Sequence, residues 1–303
     1  MPPAALPVAF LLAASAPLQR AVDYLAREVP RWSTENHCYS CHNNGDAARA
    51  LFLARRRGFD VPAAALADTV AWLKQPSRWV NDRASPAFGG KGLARVQFAA
   101  ALAEASAAGV LRDRRPLAEA AVALARAQSP DGSWAIDTGG APPAPVTYGT
   151  AIATWLACGV LEAADARKYA DAIALADRWI EAARPVGVPD AAALLLARPQ
   201  SSDVRKKCLE LLVAAQGADG GWGPQPHAPP EAFDSALAVL ALHAAHGPPD
   251  VIARGRAFLL SAQQPSGGWQ ETTRPAGQQS YAEHISTCGW ALYALLATDP
   301  ERQ

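Results

Sequence analysis

Apolar and polar positions fall along this chain in long alternating blocks. One set of segments begins near Leu18, Ala63, Pro116, Lys168, Asp203 and Val251, and carries charges at helical spacing, as in LQRAVDYLAREV and DVRKKCLELLVAAQ. Apolar residues every three to four positions, with charges between them, predict amphipathic helices with one wet face. A second set begins near Asp46, Leu93, Tyr148, Asp190, Phe233 and Glu283, and is almost uniformly apolar, as in GTAIATWLACGV, DAAALLLA and DSALAVLALHAA. A helix that is apolar all round is buried all round. The two sets alternate at a period of roughly 45 to 50 residues, as in helical repeat arrays. Six wet and six dry helices predict an all-α fold in two concentric layers, an inner barrel of six helices within an outer ring of six. An open solenoid would leave one face of each inner helix exposed.

Composition sharpens this picture. The chain has 303 residues, of which 50% are hydrophobic and 18% charged. Alanine makes up nearly a quarter of it, and alanine is the strongest helix former while β-branched residues are sparse, which argues against an all-β fold. Lys plus Arg and Asp plus Glu are both 28, for a formal net charge of 0. With no basic block, nucleic acid is excluded as a partner. Residues 1–16 read MPPAALPVAFLLAASA, an apolar run ending in Ala14-Ser15-Ala16, the small-x-small form of a signal-peptidase site. The run is too short to span a membrane. We therefore expect an exported, periplasmic or extracellular protein whose mature part, residues 17–303, is a single domain with no integral membrane span.

Three turns between a wet and a dry segment share one signature: Gln128-Ser-Pro-Asp-Gly-Ser-Trp134, Gln216-Gly-Ala-Asp-Gly-Gly-Trp222 and Gln263-Gln-Pro-Ser-Gly-Gly-Trp269. The Gln ends the outer helix and can satisfy open backbone groups of the next turn. The glycines permit positive φ. The Trp lays a large ring over the helix end and can donate its N–H. In these in-phase turns the chain resembles the squalene-cyclase and protein-prenyltransferase superfamily, whose Gln–Trp repeats brace an α/α toroid, from about residue 17 to 298.

That resemblance implies particular chemistry. Triterpene cyclases that protonate an alkene use an Asp-x-Asp-Asp run, in which a neighbour-strengthened carboxylic acid delivers the proton. Here the candidate acids stand singly, as Asp137, Asp190 and Asp234. Such cyclases also imply two toroid-like domains, and this chain has material for one. The prenyltransferase β subunits bind zinc through an Asp and a Cys of the fifth inner helix and a His of the sixth. Asp234 and His284 match two of these positions, whereas Ala236 replaces the cysteine. An isoprenoid or other apolar molecule in the cavity, with Tyr148, Asp234, Tyr281 and His284 as polar contacts, is the enzyme-or-carrier reading. It carries no expectation of squalene cyclisation.

The sharpest motif is Cys38-Tyr-Ser-Cys41-His42. In an exported chain, Cys-x-x-Cys-His is the attachment signal of a c-type haem, with His42 as the proximal ligand. A zinc site, a redox dithiol or a local disulfide are the alternatives. Cys158 and Cys208 read as buried small hydrophobes. In a closed ring the first and sixth inner helices are neighbours, so Cys38, Cys41, His42, His284 and Asp234 are expected to meet at one mouth. Tyr281, His284 and Cys288 share one helix face. Haem c at this mouth implies a redox or ligand-binding protein with a redox partner. A scaffold for protein contacts is the third reading.

Overall fold

The alternation of wet and dry segments becomes an alternation of outer and inner helices. The structure, a computed structural model, describes residues 8–79 and 91–300, with only the backbone of residues 8–15 and 202. Among these residues the helices are, in chain order, α1 (Val8–Asn36), α2 (Ala48–Arg56), α3 (Ala63–Leu73), α4 (Lys91–Ala107), α5 (Arg115–Arg126), α6 (Gly149–Asp165), α7 (Ala170–Ala182), α8 (Val188–Leu196), α9 (Ser202–Ala214), α10 (Ala232–Ala244), α11 (Pro249–Ser261) and α12 (Tyr281–Ala297). No strand occurs among the described residues. The even-numbered helices pack side by side in the order α2, α4, α6, α8, α10, α12, and α12 returns to α2. The odd-numbered helices cover them. This is the expected α/α toroid, and each inner helix begins within about five residues of its expected start, the first with a π-helical segment at Cys41–Ala47 that runs directly into α2.

Burial follows the two sequence patterns. Every residue of α10 from Ala232 to Leu242 is buried, because one side of an inner helix faces the barrel bore and the other faces the outer ring. On α1, Leu18, Ala21, Val22, Leu25 and Val29 are buried, at helical spacing, while Arg20, Asp23 and Arg27 face solvent.

The three Gln–Trp turns do what their residues predict. The Gln128, Gln216 and Gln263 amides each donate twice. One hydrogen bond closes the turn itself, to the carbonyls of Gly132, Gly220 and Gly267 at 2.9, 2.9 and 3.0 Å. The other reaches the next outer helix, at Ala172 and Val251 in the first turn of α7 and α11 and at Pro17 within α1, at 2.8, 2.9 and 2.9 Å. Gln263 therefore ties α11 to α1 and closes the ring. The Trp134, Trp222 and Trp269 indole N–H groups donate to the carbonyls of Leu124, Leu212 and Leu259, ten residues back, at 2.9, 2.7 and 2.7 Å. These carbonyls belong to the last turn of an outer helix, where intrahelical donors run out; that of Leu124 also accepts from the Ala127 backbone N–H at 2.9 Å. Gly267 has φ of 101°, and a Cβ there would lie 2.3 Å from the Arg20 carbonyl oxygen of α1, so only glycine fits. Cys288 is fully buried and accepts from the Trp269 backbone N–H at 3.2 Å, as Thr154 and Ser235 do for the other two tryptophans.

Residues 1–7 of the expected export segment lie outside the described residues. From Val8 the backbone is helical and continuous with α1, through Pro17 and Pro30. No helix of the described residues is long and apolar enough to cross a membrane.

Candidate functional site

The inner helices start at one mouth of the barrel and end at the other, and their polar residues mark both levels. On the first inner helix, His42, Asp46 and Arg49 stand at i, i+4 and i+7, one above the other on a single face. Asp46 is buried, and its carboxylate accepts from the Tyr148 hydroxyl, from Gln97 Nε2 at 2.8 Å and from Ser286 Oγ at 2.7 Å. These donors come from the N-cap of α6 and from within the first two turns of α4 and α12, so the carboxylate joins four of the six inner helices. Ser286 Oγ also lies 2.9 Å from His42 Nδ1. A polar chain thus runs from His42, half-buried, down into the bore.

Below it, aromatic rings and one guanidinium fill the bore. Trp290 packs edge-on against Tyr148 and Phe233, with centroids 5.6 and 5.8 Å apart, and donates to the Tyr148 hydroxyl at 3.2 Å. The Arg49 guanidinium lies over the rings of Trp290 and Tyr293, at 4.2 and 4.4 Å from their centroids, which holds a buried cation on two π faces. Tyr293 donates to Glu104 at 3.0 Å, and Glu104 pairs with Arg56 at 2.9 Å. The polar groups therefore continue to the opposite end of α2.

Burial sets the charges of this column. It pushes Asp46 up to about 6, against the Arg49 charge and the three donors that hold it down. It pushes His42 down to about 4, so the imidazole is neutral near pH 7, and it pushes the Cys41 thiol up to about 12. Cys38 and Cys41 are half-buried and not joined by a disulfide.

Ring closure brings α12 beside the motif, and the residue that reaches His42 is Ser286, not His284. Two residues along a helix are some 200° around it. His284 therefore faces the outer ring, with Nε2 2.8 Å from the Tyr24 hydroxyl of α1 and Nδ1 3.3 Å from Glu271. Tyr281 stacks on Trp32 of the same outer helix, at 5.6 Å and 16°, and Cys288 lies beneath the Trp269 turn. These three share a face as expected, and that face looks outward. Asp234 is also apart from the motif. It is fully buried and pairs with Arg274 at 2.8 Å, while Arg274 also pairs with Glu231. Burial raises the Asp234 carboxyl well above its usual range, against the Arg274 charge. Tyr148 is pinned between Asp46 and Trp290. Among the described residues no group of three or more His, Cys, Asp or Glu side chains is placed to hold a metal ion.

A cavity of about 530 Å³ opens at the same mouth, where α6 and α8 begin and α7 ends, beside the loop residues Pro224 and Gln225. Its walls are largely apolar and include Pro143, Ala151, Trp179, Ala183 and Leu194. Val186, on its rim, is 78% exposed. Asp190, in the first turn of α8, is half-buried there and accepts from the Val186 backbone N–H at 3.3 Å. Burial raises its carboxyl above the usual range. Asp137 is exposed and accepts from the Gly139 backbone N–H at 2.8 Å. The three aspartates stay as separate as their sequence positions suggest.

The fold has known counterparts. No protein family's sequence model matches the chain. A drimenyl diphosphate synthase from Streptantibioticus cattleyicolor is 30% identical over 119 residues, which are 39% of this chain and 21% of that protein. The match thus spans about a fifth of the relative's length. Among solved structures, type II terpene cyclase MstE from Scytonema aligns at a TM-score of 0.61 and 14% identity, over 94% of this chain and 98% of its own. A variant of that cyclase, solved with geranylgeranyl dihydroxybenzoate as substrate, aligns at 0.61 and 13% identity, over 94% and 97% of the two chains. A protein from Actinoplanes aligns at 0.56 and 16% identity, over 94% and 98%. These likenesses show a terpenoid-cyclase-type α/α toroid.

Proposed function

We propose that this protein holds an isoprenoid or similarly apolar chain in the cavity at the barrel mouth, as a carrier or an enzyme of the terpene cyclase and prenyltransferase type. The observation that carries the reading is the cavity itself. Its volume of about 530 Å³ lies within the range of small-molecule sites. Its walls are apolar and its rim holds one protonatable carboxyl, Asp190. Burial of a ligand chain against Trp179 and Leu194 supplies the affinity, and Asp190 orients the polar end of the ligand. Such a site fits the fold's counterparts, one of which was solved with a geranylgeranyl-bearing substrate. Alkene protonation of squalene is not part of the reading, because among the described residues no second carboxylate lines the cavity beside Asp190 to strengthen it.

Geranylgeraniol is a suitable probe. Titration should change Trp179 fluorescence saturably, and Trp179→Phe should remove that signal. Ala183→Phe, which fills the cavity from its wall, should weaken binding at least tenfold. Absence of saturable binding, or binding unchanged by Ala183→Phe, overturns the proposal.

A further inference from the structure

The Cys38–His42 segment lies outside the apolar cavity and has its own architecture. Ser286 has one hydroxyl proton, and it is given to Asp46 at 2.7 Å. The contact of 2.9 Å between Ser286 Oγ and His42 Nδ1 must then be donated by the imidazole. Asp46 meets three donors, from Tyr148, Gln97 and Ser286, as an ionised carboxylate does. His42 is thus fixed as the neutral Nδ1–H tautomer. Its Nε2 is left as a lone-pair donor with no hydrogen bond among the described residues. Here Ser286, itself held by the Asp46 carboxylate, orients the imidazole through its Nδ1–H, and an outer-shell acceptor on that nitrogen is what supports a metal-ligating histidine.

The kind of metal follows from what surrounds that nitrogen. A zinc ion held by side chains needs three or four of them converging, and no such group occurs among the described residues. A c-type haem would need from the chain only two thiols and one ligand to its iron, since the macrocycle supplies four nitrogens. The two unpaired thiols, Cys38 and Cys41, precede His42 by four residues and one. We infer that this segment is the attachment site of a c-type haem, that His42 Nε2 binds its iron, and that Ser286 and Asp46 are positioning residues for that nitrogen.

The attachment step balances without an oxidant or a reductant. Each cysteine S–H adds across one haem vinyl group. The sulfur bonds to one carbon, its hydrogen ends on the other, the C=C becomes a single bond, and nothing leaves. The bound group supplies one-electron transfer. The chain's part is to hold Nε2 on the iron and to keep Nδ1–H on Ser286.

The test uses the full chain, exported in a host with haem-attachment machinery, alongside a control cytochrome that is loaded there. The expected result is the mass of one haem retained after denaturation, and its loss in Cys38→Ala plus Cys41→Ala. Two alkylatable thiols with no added mass, or bound zinc without haem, overturn the site. Ser286→Ala should keep the covalent haem while raising its midpoint potential, because the ligand loses the acceptor that makes it basic. Ser286→Thr, which retains the hydroxyl, should restore the wild-type value. A Ser286→Ala protein with the wild-type potential overturns the positioning role while leaving the attachment site standing.

Discussion

Truncating Trp222 to alanine tests the bracing of the ring. The side chain is fully buried, and its indole N–H donates to the Leu212 carbonyl at 2.7 Å. It also packs against Gly255 so closely that a Cβ there would come within 2.5 Å of the ring. Buried Trp-to-Ala changes cost about 3–5 kcal/mol from lost transfer energy and cavity. Trp222→Phe keeps most of the ring but leaves the Leu212 carbonyl without its donor, at a cost of about 1–3 kcal/mol. The two variants together separate packing from the hydrogen bond. For a protein of this size, about 2–4 °C of Tm accompanies each kcal/mol. Trp222→Ala should therefore lower the midpoint by roughly 6 °C or more, and Trp222→Phe by a fraction of that. Thermal unfolding followed by circular dichroism reads both. A Trp222→Ala midpoint within about 2 °C of wild type would refute the view that these turns hold the layers together.

The remaining predictions use other parts of the molecule. Gly267→Ala, which drives a Cβ to 2.3 Å from the Arg20 carbonyl oxygen, should destabilise much more than Gly277→Ala, where φ is also positive but nothing lies within 4 Å; equal midpoints would show that the seam does not need this close approach. In the haem-free chain, Asp46 and His42 oppose each other in pH. Asp46, raised from 3.8 to about 6, is best tolerated when protonated, so its contribution to stability is lost as pH rises from about 4 to 6. His42, lowered from 6.5 to about 4, resists protonation, so its contribution is lost as pH falls through the same window. Asp46→Asn should therefore lose stability more steeply than wild type between pH 6.5 and 4 in urea titrations, and parallel curves would contradict the assignment. Incubation with squalene should give no cyclised product by gas chromatography and mass spectrometry; a pentacyclic hydrocarbon would show that an isolated aspartate suffices.

The fold was legible because its signals are local and repeated. The Gln128, Gln216 and Gln263 turns use the same two hydrogen bonds each time, and the wet–dry alternation follows directly from two layers. The bore was harder to read. Inner helices are buried on both sides, so apolarity does not say which face looks inward. Tyr281, His284 and Cys288 were grouped on the right face, but the direction of that face is set by the packing of α1 over α12. Ser286, Trp290 and Tyr293 take the bore side instead. Arg49 and Gln97 give no such signal because each sits in a largely apolar run, and Asp46 reads only as the start of a helix behind the polar His42-Asn-Asn-Gly stretch. The available signal was the spacing of His42, Asp46 and Arg49 at i, i+4 and i+7, a polar stripe on a helix otherwise read as dry. Asp234 could not be separated from the motif by sequence, since its partner Arg274 lies 40 residues away in a loop.

The bond from Gln263 to the Pro17 carbonyl joins residues 246 positions apart, and that from Tyr24 to His284 joins residues 260 apart. Closing a loop of that length costs about 5 kcal/mol of chain entropy on a logarithmic law, and nothing offsets it until both edges meet. The seam between the first and last helix pairs is therefore the last part of the ring to form and the first to part. A molecule caught before closure is a C-shaped arc with two raw edges, α2 with the Cys41–Ala47 segment on one and α12 on the other, and each is shaped to fit the other. At high concentration the edge of a second arc competes for that fit, and two arcs that close on each other form a swapped dimer using only contacts already present in the monomer.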